Sequence, residues 1–457
     1  AFRLKKAGFK VTVYEAANQL GGVIRSIRQD GYLAECGPNT ILETSPVISA
    51  FIHDLGLEQR KIYSDPAANK RYVVRDGKLC LVPDSPIGFL KTPLFSGRAK
   101  AHLLAEPFVR RGNPNTEENL EQFVIRRLGR EFLDYAINPF VAGVYAGDPS
   151  RLSVKEAFPK LHSIEQKYGS LILGQILGAR ERKNRGEVAK QHARKFSFED
   201  GLQVLIDTLG SHLGSSVQLG TRVTGIKQLE GRWNLTLNEG RCAAEHDILL
   251  LTAPAHKLAE ILSESPSVVQ LDRFADIHYP PVTSVVFGFG RDSVADPLDG
   301  FGALIPAAEK MNILGVIFSS SLFPYRAPEG HVTLTCYVGG ERNPELALAD
   351  KSTVRRLALG DLARLLGVRG APTFEHYCTF SKAIPQYEVG YGKFRALMNQ
   401  IESTAPGIYF AGHYRDGISL GDSIVSGTHA AEKIQAFVAK HTLQQNKSSH
   451  EQRRFID

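Results

Sequence analysis

The residues best suited to chemistry in this chain are a carboxylate and a pair of glycines near its start. Glu15 closes a short alternating strand over residues 9–14, and Gly21 and Gly22 follow a few residues later. A carboxylate at such a strand end accepts hydrogen bonds from ribose hydroxyls. Adjacent glycines let the backbone approach a pyrophosphate closely. Together these residues predict a dinucleotide-binding site.

The residues before this strand indicate which part of a larger unit it belongs to. Residues 1–7 have the pattern of the second half of a helix, and Gly8 suits a helix stop in the left-handed conformation. Helix, glycine, strand and terminal acid form the second half of a βαβ dinucleotide-binding unit. We therefore expect a fragment that lacks a first strand and a Gly-rich turn, about 20 residues by the usual motif spacing.

Two more segments extend the predicted site. A Gly-Pro turn follows at 37–40, and near the other end a strand over 407–411 runs into a glycine at position 412. Residues 417–423 then lead into a helix over 424–438, whose first N–H groups suit an anion or a polarised ring edge. The order of acid, glycine pair and Gly-Pro turn resembles the FAD-dependent amine-oxidase-like superfamily, in which all three face one flavin. An ordinary nicotinamide-binding unit with a chance glycine pair is the alternative.

Composition and cysteine usage narrow the class of protein. The 457 residues are 43% hydrophobic and 23% charged, as in globular proteins of two or three domains. No apolar run approaches the roughly 18 residues needed to span a membrane. The five cysteines are scattered without a CxxC pair, which favours a reducing compartment and argues against zinc or iron–sulfur ligation. We predict no metal site and a cytoplasmic location, with organellar targeting as the open alternative.

The formal net charge is +7, and much of the excess lies in two stretches, 91–111 and 180–195. Solvated helix faces, an anionic membrane surface and nucleic acid are the three candidate explanations. Apolar residues interleaved with the first stretch favour a membrane surface over nucleic acid, and the chain has no nucleic-acid-binding motif. We therefore expect no nucleic-acid partner, while peripheral membrane contact competes with plain solvated faces.

The pattern of elements predicts an α/β fold with a discontinuous Rossmann-like dinucleotide-binding domain. This domain comprises 1–65, 196–265 and 395–440. A helical, membrane-associated domain covers 85–195, and a β-rich substrate domain combines 66–84 with 266–394. Residues 441–457 form a polar, disordered tail. Within these bounds we predict helices over 47–57, 119–140 and 161–182, a hairpin over 71–79 turned at Asp76-Gly77, and strands over 217–227, 247–254, 284–289 and 332–338.

Four segments resemble one family of this superfamily, the oxygen-dependent protoporphyrinogen oxidases. They span 138–159, 318–328, 383–387 and 411–427, and the resemblance covers nearly the whole chain. It implies FAD-dependent oxidation of protoporphyrinogen IX to protoporphyrin IX in tetrapyrrole biosynthesis, with molecular oxygen as electron acceptor, and a possible homodimer. Coproporphyrinogen III, which carries four carboxylates, is the alternative substrate. An inactive flavin-fold fragment that does not hold FAD is the second alternative.

The resemblance also implies roles for particular residues. Arg71 would pair with a substrate propionate, Leu304, Ile317 and Tyr337 would sandwich the pyrrole rings, and the carbonyl of Gly143 would face the macrocycle. The alternative interpretation is that Arg71 is a solvated surface arginine and that the apolar residues belong to an ordinary core. Hydride would pass to flavin N5, and no general base is assigned. Asn39 is assigned to both substrate and cofactor. The cofactor residues are Glu15, Ala16, Gly21, Gly22, Val23, Gly37, Pro38, Asn39, Thr40, Val223, His413 (through its backbone), Ile418, Ser419 and Leu420.

Overall fold

The computed structural model describes residues 1–178, 193–265, 268 and 270–454, and it confirms the predicted mixed α/β class. The strands are β1 Val13–Tyr14, β2 Ser26–Gln29, β3 Tyr32–Glu35, β4 Ile41–Leu42, β5 Lys61–Tyr63, β6 Arg71–Arg75, β7 Lys78–Leu81, β8 Lys195–Phe198, β9 Val217–Gln218, β10 Val223–Leu229, β11 Arg232–Leu237, β12 Cys242–His246, β13 Leu249–Leu251, β14 Leu262–Ser263, β15 Val282–Gly290, β16 Gly302–Leu304, β17 Ile313–Phe318, β18 His331–Gly339, β19 Phe374–Phe380 and β20 Ile408–Phe410.

The helices concentrate in three places: before residue 60, between residues 86 and 177, and after residue 344. They are α1 Phe2–Lys6, α2 Pro46–Asp54, α3 Pro86–Lys91, α4 Gly97–Leu104, α5 Leu120–Leu128, α6 Arg130–Phe132, α7 Asn138–Tyr145, α8 Val154–Ala157, α9 Pro159–Tyr168, α10 Leu171–Leu177, α11 Gln203–Leu213, α12 Ala255–Leu258, α13 Ser319–Leu322, α14 Pro344–Ala347, α15 Lys351–Leu366, α16 Gly392–Thr404, α17 His413–Asp416 and α18 Leu420–Arg454. A π-helical segment, Leu133–Ile137, joins α6 to α7.

Two parallel strand pairs bring the start, middle and end of the chain together. β1 pairs with β9 at Val13 and Val217, and β13 pairs with β20 at Leu250 and Tyr409. Helices α1 and α18 pack against β13 and β20, which fits the rule that parallel strands are covered by helices. The segments of the predicted dinucleotide-binding domain therefore meet in one region.

A seven-stranded sheet forms the largest β unit, in the order β19-β15-β18-β17-β16-β6-β7. All neighbours are antiparallel except β16 and β6. The β6–β7 hairpin turns at Asp76 and Gly77, whose φ angles of 52° and 72° suit a two-residue hairpin turn, so that prediction is confirmed. One face of the sheet buries Val285, Val316 and Cys336 against α15. The opposite face carries Arg71, Leu304, Ile317 and Tyr337.

Helices α3 to α10 form a cluster that is held together by a buried ion network. Arg127 pairs with Glu106 and Glu165 at 2.8 Å each, and all three side chains are almost completely buried. The predicted helices in this region are shorter than expected. The 119–140 helix is interrupted at Gly129 and the 161–182 helix at Gly169, where φ angles of 89° and 75° end α5 and α9. Glycine is comfortable in that conformation, so it stops a helix that hydrophobic spacing alone would continue.

Three other predictions about elements are wrong in their bounds. The strand over 217–227 divides into β9 and β10, which join different sheets across a turn at Gly220 (φ 61°). The strand over 9–14 is limited to Val13–Tyr14. The segment 441–454, predicted to be disordered, continues α18 as far as Arg454. It contains no Gly or Pro, so nothing in its sequence stops the helix.

The cysteines also depart from expectation. Cys36 and Cys378 form a disulfide with a Cα–Cα distance of 5.4 Å, although 342 positions separate them in sequence. The scattered spacing of the cysteines therefore gave no sign of this pairing.

Two further predictions concern the second basic stretch and membrane-spanning segments. Most of the second basic stretch, 180–192, lies outside the described residues. Among the described helices, none is both long and apolar enough to cross a membrane.

Candidate functional site

Glu15 lies at the carboxyl end of β1 and is fixed by the loop after β9. Its N–H donates to the carbonyl of Gln218 at 3.0 Å, and its carbonyl accepts from the N–H of Thr221 at 2.8 Å. Side-chain Oε1 accepts from the N–H of Ala17 at 2.8 Å. Oε2 has no hydrogen-bond partner within the described ranges, so it is available to a ribose hydroxyl.

Ala16 and Val223 are the two other predicted cofactor residues near Glu15. Ala16 is exposed immediately after Glu15. Val223 begins β10, two residues beyond the Thr221 contact, and packs against the same core cluster as Tyr14. The backbone contacts thus bring both predicted residues near Glu15.

The glycine pair forms an open turn against the Gly-Pro turn. Gly21 and Gly22 have φ angles of 112° and 57°, and the N–H of Ile24 donates to the carbonyl of Gly21 at 2.9 Å. A Cβ on Gly37 would lie 2.4 Å from the carbonyl oxygen of Val23, so the two backbone segments touch. A Cβ on Gly22 would meet nothing within 4 Å. The glycine turn therefore packs against the Gly-Pro turn at Val23, whereas the space beside Gly22 is empty of described residues.

Asn39 connects the Gly-Pro turn to the seven-stranded sheet. Its Nδ2 donates to the hydroxyl of Tyr337 at 2.6 Å and to the carbonyl of Gly37 at 3.3 Å. Burial raises the pKa of Tyr337 above its usual value, so the phenol stays neutral. Pro38 and Thr40 are half-buried in the same turn. The predicted cofactor turn thus contacts the predicted substrate wall directly.

The four predicted substrate residues on the sheet all share one face. Residues that pair across neighbouring strands point to the same side, as do residues two apart on one strand. The pairing registers give two adjacent rows on this face. The first row is Val73, Leu304, Gly315, Tyr337, Ser284 and Cys378, and the second is Arg71, Gly302, Ile317, Thr335, Val286 and His376. We call this surface the open face.

Helix α7 lies over part of the open face. A Cβ on Gly143 would be 2.4 Å from Cδ2 of Leu304, so the helix backbone approaches the sheet as closely as glycine allows. Leu304, Ile317 and Tyr337 are only half-buried, whereas neighbouring residues of the opposite face are buried. An apolar wall with remaining exposure suits a flat apolar ligand.

Arg71 stands at the start of β6 with a second cation beside it. Its side chain makes no hydrogen bond or ion pair with any residue that the structure describes. Lys195 is buried, and its Nζ donates to Oδ1 of Asn69 at 3.0 Å. Burial lowers the pKa of Lys195, and the nearby Arg71 lowers it further. Lys195 was missed because its sequence context is only the end of a basic run.

The N-terminus of α18 is held in a fixed position. Ser419 Oγ accepts from the N–H of Asp422 at 3.0 Å, and Oδ2 of Asp422 accepts from the N–H of Ser419 at 3.3 Å. The hydroxyl of Tyr387 accepts from the N–H of Gly417 at 3.0 Å and donates to the carbonyl of His413. Ile418 and Leu420 are half-buried in this segment.

The imidazole of His413 is half-buried and faces the ring of Tyr279. Burial, with a smaller effect of His256, lowers the pKa of His413 to about 4, so the ring is uncharged at neutral pH. Its Nε2 lies 3.3 Å from the hydroxyl of Tyr279. A backbone role for His413 stays a prediction, and its side chain carries no charge that a cofactor could use.

These features fit a flavin dinucleotide. A carboxylate oxygen without a partner, an open glycine turn and a capped helix N-terminus supply a ribose acceptor and anion donors. A family model described as flavin containing amine oxidoreductase matches residues 1–435. The chain belongs to this family. FAD is the cofactor that follows from this membership.

Relatives of known name resemble the whole chain. Protoporphyrinogen oxidase 2, chloroplastic/mitochondrial, of Arabidopsis thaliana is 34% identical over 96% of this chain and 91% of its own length. Coproporphyrinogen III oxidase of Bacillus subtilis is 28% identical over 95% of this chain and 93% of its own. A solved structure from Exiguobacterium, described as a candidate protoporphyrinogen oxidase, has a TM-score of 0.78 at 23% identity and covers 95% of each chain. That structure supports the fold.

Proposed function

We propose that this protein is a porphyrinogen oxidase that converts protoporphyrinogen IX to protoporphyrin IX with oxygen as electron acceptor. One observation carries the proposal. The open face presents an apolar wall that meets the flavin turn through the Asn39–Tyr337 contact and ends at Arg71, a cation without an ion-pair partner among the described residues. A macrocycle with an apolar body and peripheral carboxylates needs such a surface. The named relatives of two porphyrinogen oxidase types support it.

The residues of the open face near α7 and β6, away from β19, would bind and orient this substrate. Leu304 and Ile317 contact the flat faces of the pyrrole rings, and Gly143 lets the backbone of α7 pack directly on Leu304, so that its carbonyl borders the macrocycle. The Asn39–Tyr337 hydrogen bond fixes the turn that borders the cofactor. When bound, FAD would supply the hydride-accepting chemistry and the reduction of oxygen. None of these residues needs to act as an acid or a base.

The cations at the edge of the wall favour protoporphyrinogen over coproporphyrinogen. Arg71 and Lys195 lie close enough to influence each other, and neither has a carboxylate partner among the described residues. An unpaired buried ammonium is costly, and a ligand carboxylate would compensate it. Two cations at one edge match the two propionates of protoporphyrinogen IX. Coproporphyrinogen III, with four carboxylates, is the second candidate because of its relative in Bacillus subtilis.

The test is turnover of both porphyrinogens by the purified protein, read as porphyrin fluorescence with oxygen consumption measured in parallel. Flavin released on denaturation gives FAD content independently of activity. We expect protoporphyrinogen to give the higher kcat/KM and Arg71→Ala to reduce it, whereas Lys78→Ala, an exposed cation on the same hairpin, leaves it unchanged. A flavin-loaded protein that oxidises neither porphyrinogen contradicts the proposal. Faster coproporphyrinogen turnover selects the second candidate.

We also propose that the surface of α3 and α4 contacts an anionic lipid surface. Ile87, Leu90, Leu104 and Phe108 are 57–91% exposed on it. Exposed basic residues accompany them at 91, 98, 110 and 111. Apolar side chains beside cations bind the interface of an anionic membrane through burial and charge together. Homodimerisation and a cytoplasmic location stay predictions.

Vesicle co-sedimentation tests this surface. We expect binding to vesicles that contain phosphatidylglycerol at low salt and release at high salt. Leu104→Ser combined with Phe108→Ser removes two exposed apolar contacts and should abolish binding. Leu262→Ser is the matched control, because Leu262 is 75% exposed on the distant strand β14. Absence of binding at low salt, or equal loss in the control, contradicts the proposal.

A further inference from the structure

Three side chains that the proposed oxidation does not use lie together where β3 meets β19. Sγ of Cys36 is 3.7 Å from Nε2 of His376, and Cys378 completes a group whose ligand atoms all lie within 4.8 Å of one another. Cys36 is buried, and the other two are half-buried. In the structure the two cysteines are joined by a disulfide.

The backbone holds these three residues in place. His376 and Cys378 are two apart on β19, so both point to the open face. The ladder to β15 fixes them opposite Val286 and Ser284. Cys36 follows β3 directly, and its N–H donates to the carbonyl of Arg25 at 2.9 Å. The backbone positions of the three residues therefore do not depend on the bond between the sulfurs, and the thiol side chains separate once it is reduced.

The chemistry and spacing of the group suit a thiophilic divalent metal. Two thiolates and one imidazole are ligands that Zn²⁺ prefers. Tetrahedral Zn²⁺, with Zn–S of about 2.3 Å and Zn–N of about 2.0–2.1 Å, places its sulfur and nitrogen ligands about 3.6 Å apart. The distance between Cys36 and His376 is 3.7 Å.

A second observation comes from the neighbouring strand. Ser284 is the register partner of Cys378 and shares its face, and its side chain is only 2% exposed. The Ser284 hydroxyl has no hydrogen-bond partner within the described part of the chain. A buried hydroxyl without a partner is costly. A water on the fourth position of a metal in this group would satisfy it.

We propose that Cys36, His376 and Cys378, with both cysteines reduced, bind one Zn²⁺ with an open fourth position. A dithiol reductant supplies the two electrons and two protons that convert the disulfide to two thiols and is itself oxidised to a disulfide. Metal binding then releases the two thiol protons. The disulfide and the metal exclude each other. Because Cys36 adjoins Gly37, either state ties the flavin turn to the edge of the substrate sheet.

The experiment is metal uptake by the full chain. Protein reduced with dithiothreitol and freed of reductant under nitrogen is incubated with Zn²⁺, desalted and measured by plasma mass spectrometry. Co²⁺ replaces Zn²⁺ in a parallel sample, and a thiolate-to-cobalt charge-transfer absorption reports sulfur ligation. We expect one metal per chain in reduced protein and none after oxidation to the disulfide. Uptake is independent of porphyrinogen turnover, so failure here leaves the proposed function untouched.

Variants locate the site. Cys378→Ser and His376→Gln should each lower Zn²⁺ affinity by at least tenfold, roughly the loss expected for one ligand. Cys80→Ser, a half-buried free cysteine on β7, is the matched control and should bind as wild type. FAD content shows which variants fold. No uptake by reduced wild type, a disulfide that resists reduction in folded protein, or uptake that survives in a folded His376→Gln and Cys378→Ser pair overturns the proposal.

Discussion

Removing Arg71 and Lys195, singly and together, tests how the substrate is anchored. Arg71→Ala removes an exposed guanidinium, and Lys195→Met removes a buried ammonium while keeping its apolar stem. Neither change touches Glu15 or the glycine turns, so bound flavin should be retained. Both variants should raise KM for protoporphyrinogen, because each deletes a charged contact to a propionate.

The structure sets different magnitudes for the two cations. A hydrogen bond to a charged group contributes about 1.5–3 kcal/mol, and solvent screening reduces this at an exposed site. We therefore expect about 1–2 kcal/mol for Arg71, which is a rise in KM of about 5- to 30-fold. Buried Lys195 should cost about 2–3 kcal/mol, a rise of about 30- to 150-fold. Arg71→Lys should recover part of the loss, because it restores charge without the two-point contact.

The double variant and the pH dependence show whether the two cations hold separate propionates or share one carboxylate. If each cation holds its own propionate, the two losses should add to within about 1 kcal/mol. If both hold one carboxylate, the double variant should lose little more than Lys195→Met alone. Burial and Arg71 lower the pKa of Lys195, so its charge is lost as pH rises at a lower pH than for an ordinary lysine. KM of the wild type should therefore rise on the alkaline side, and Lys195→Met should lack that rise.

The assay is steady-state porphyrin fluorescence with flavin content measured on the same samples. Substrate with both propionates esterified should bind wild type and Lys195→Met equally well. Wild-type KM in Lys195→Met would show that this ammonium faces away from substrate. Wild-type KM in Arg71→Ala would mean that the open face is not the substrate surface.

Three further predictions concern the cofactor, the pocket and pH. Glu15→Ala should lower FAD affinity by about ten- to a hundredfold through loss of a charged hydrogen bond, measured by dilution and flavin fluorescence; unchanged retention would make Glu15 a solvated strand end. Gly143→Ala should raise KM while the free energy of unfolding falls only slightly, because the new Cβ displaces only the flexible end of Leu304. A KM equal to that of the wild type would place α7 away from substrate. For His413, the folded pKa of about 4 lies below the ordinary value of 6.5, so the unfolded chain binds the proton first as pH falls. His413 should account for about 3 kcal/mol of the unfolding free energy that the wild type loses between pH 7 and pH 4, so His413→Gln should lose less in urea titrations at the two pH values.

The sequence alone determined the parts of this protein that depend on neighbouring residues. Glu15 at a strand end, the Gly21-Gly22 pair and the Asp76-Gly77 turn are local signals, because each depends on backbone conformation within a few residues. The family resemblance came from short contiguous segments, and the family match over residues 1–435 together with a protoporphyrinogen oxidase relative at 34% identity confirms it. The bounds of helices were less accessible, since Gly129 and Gly169 end helices that hydrophobic spacing would extend.

Only the tertiary structure decided which distant residues share a surface. A one-residue shift in register would move Arg71 and Tyr337 to the buried face, and no local signal fixes the pairing of six strands. Lys195 could be assigned to the candidate site only from its contact with Asn69, because a lysine in a basic run is expected to be solvated. Cys36 and Cys378 meet across 342 positions, a distance at which spacing carries no information. Strand pairing and burial are properties of the whole chain, so the anchoring cations and the thiol group could be found only once it was folded.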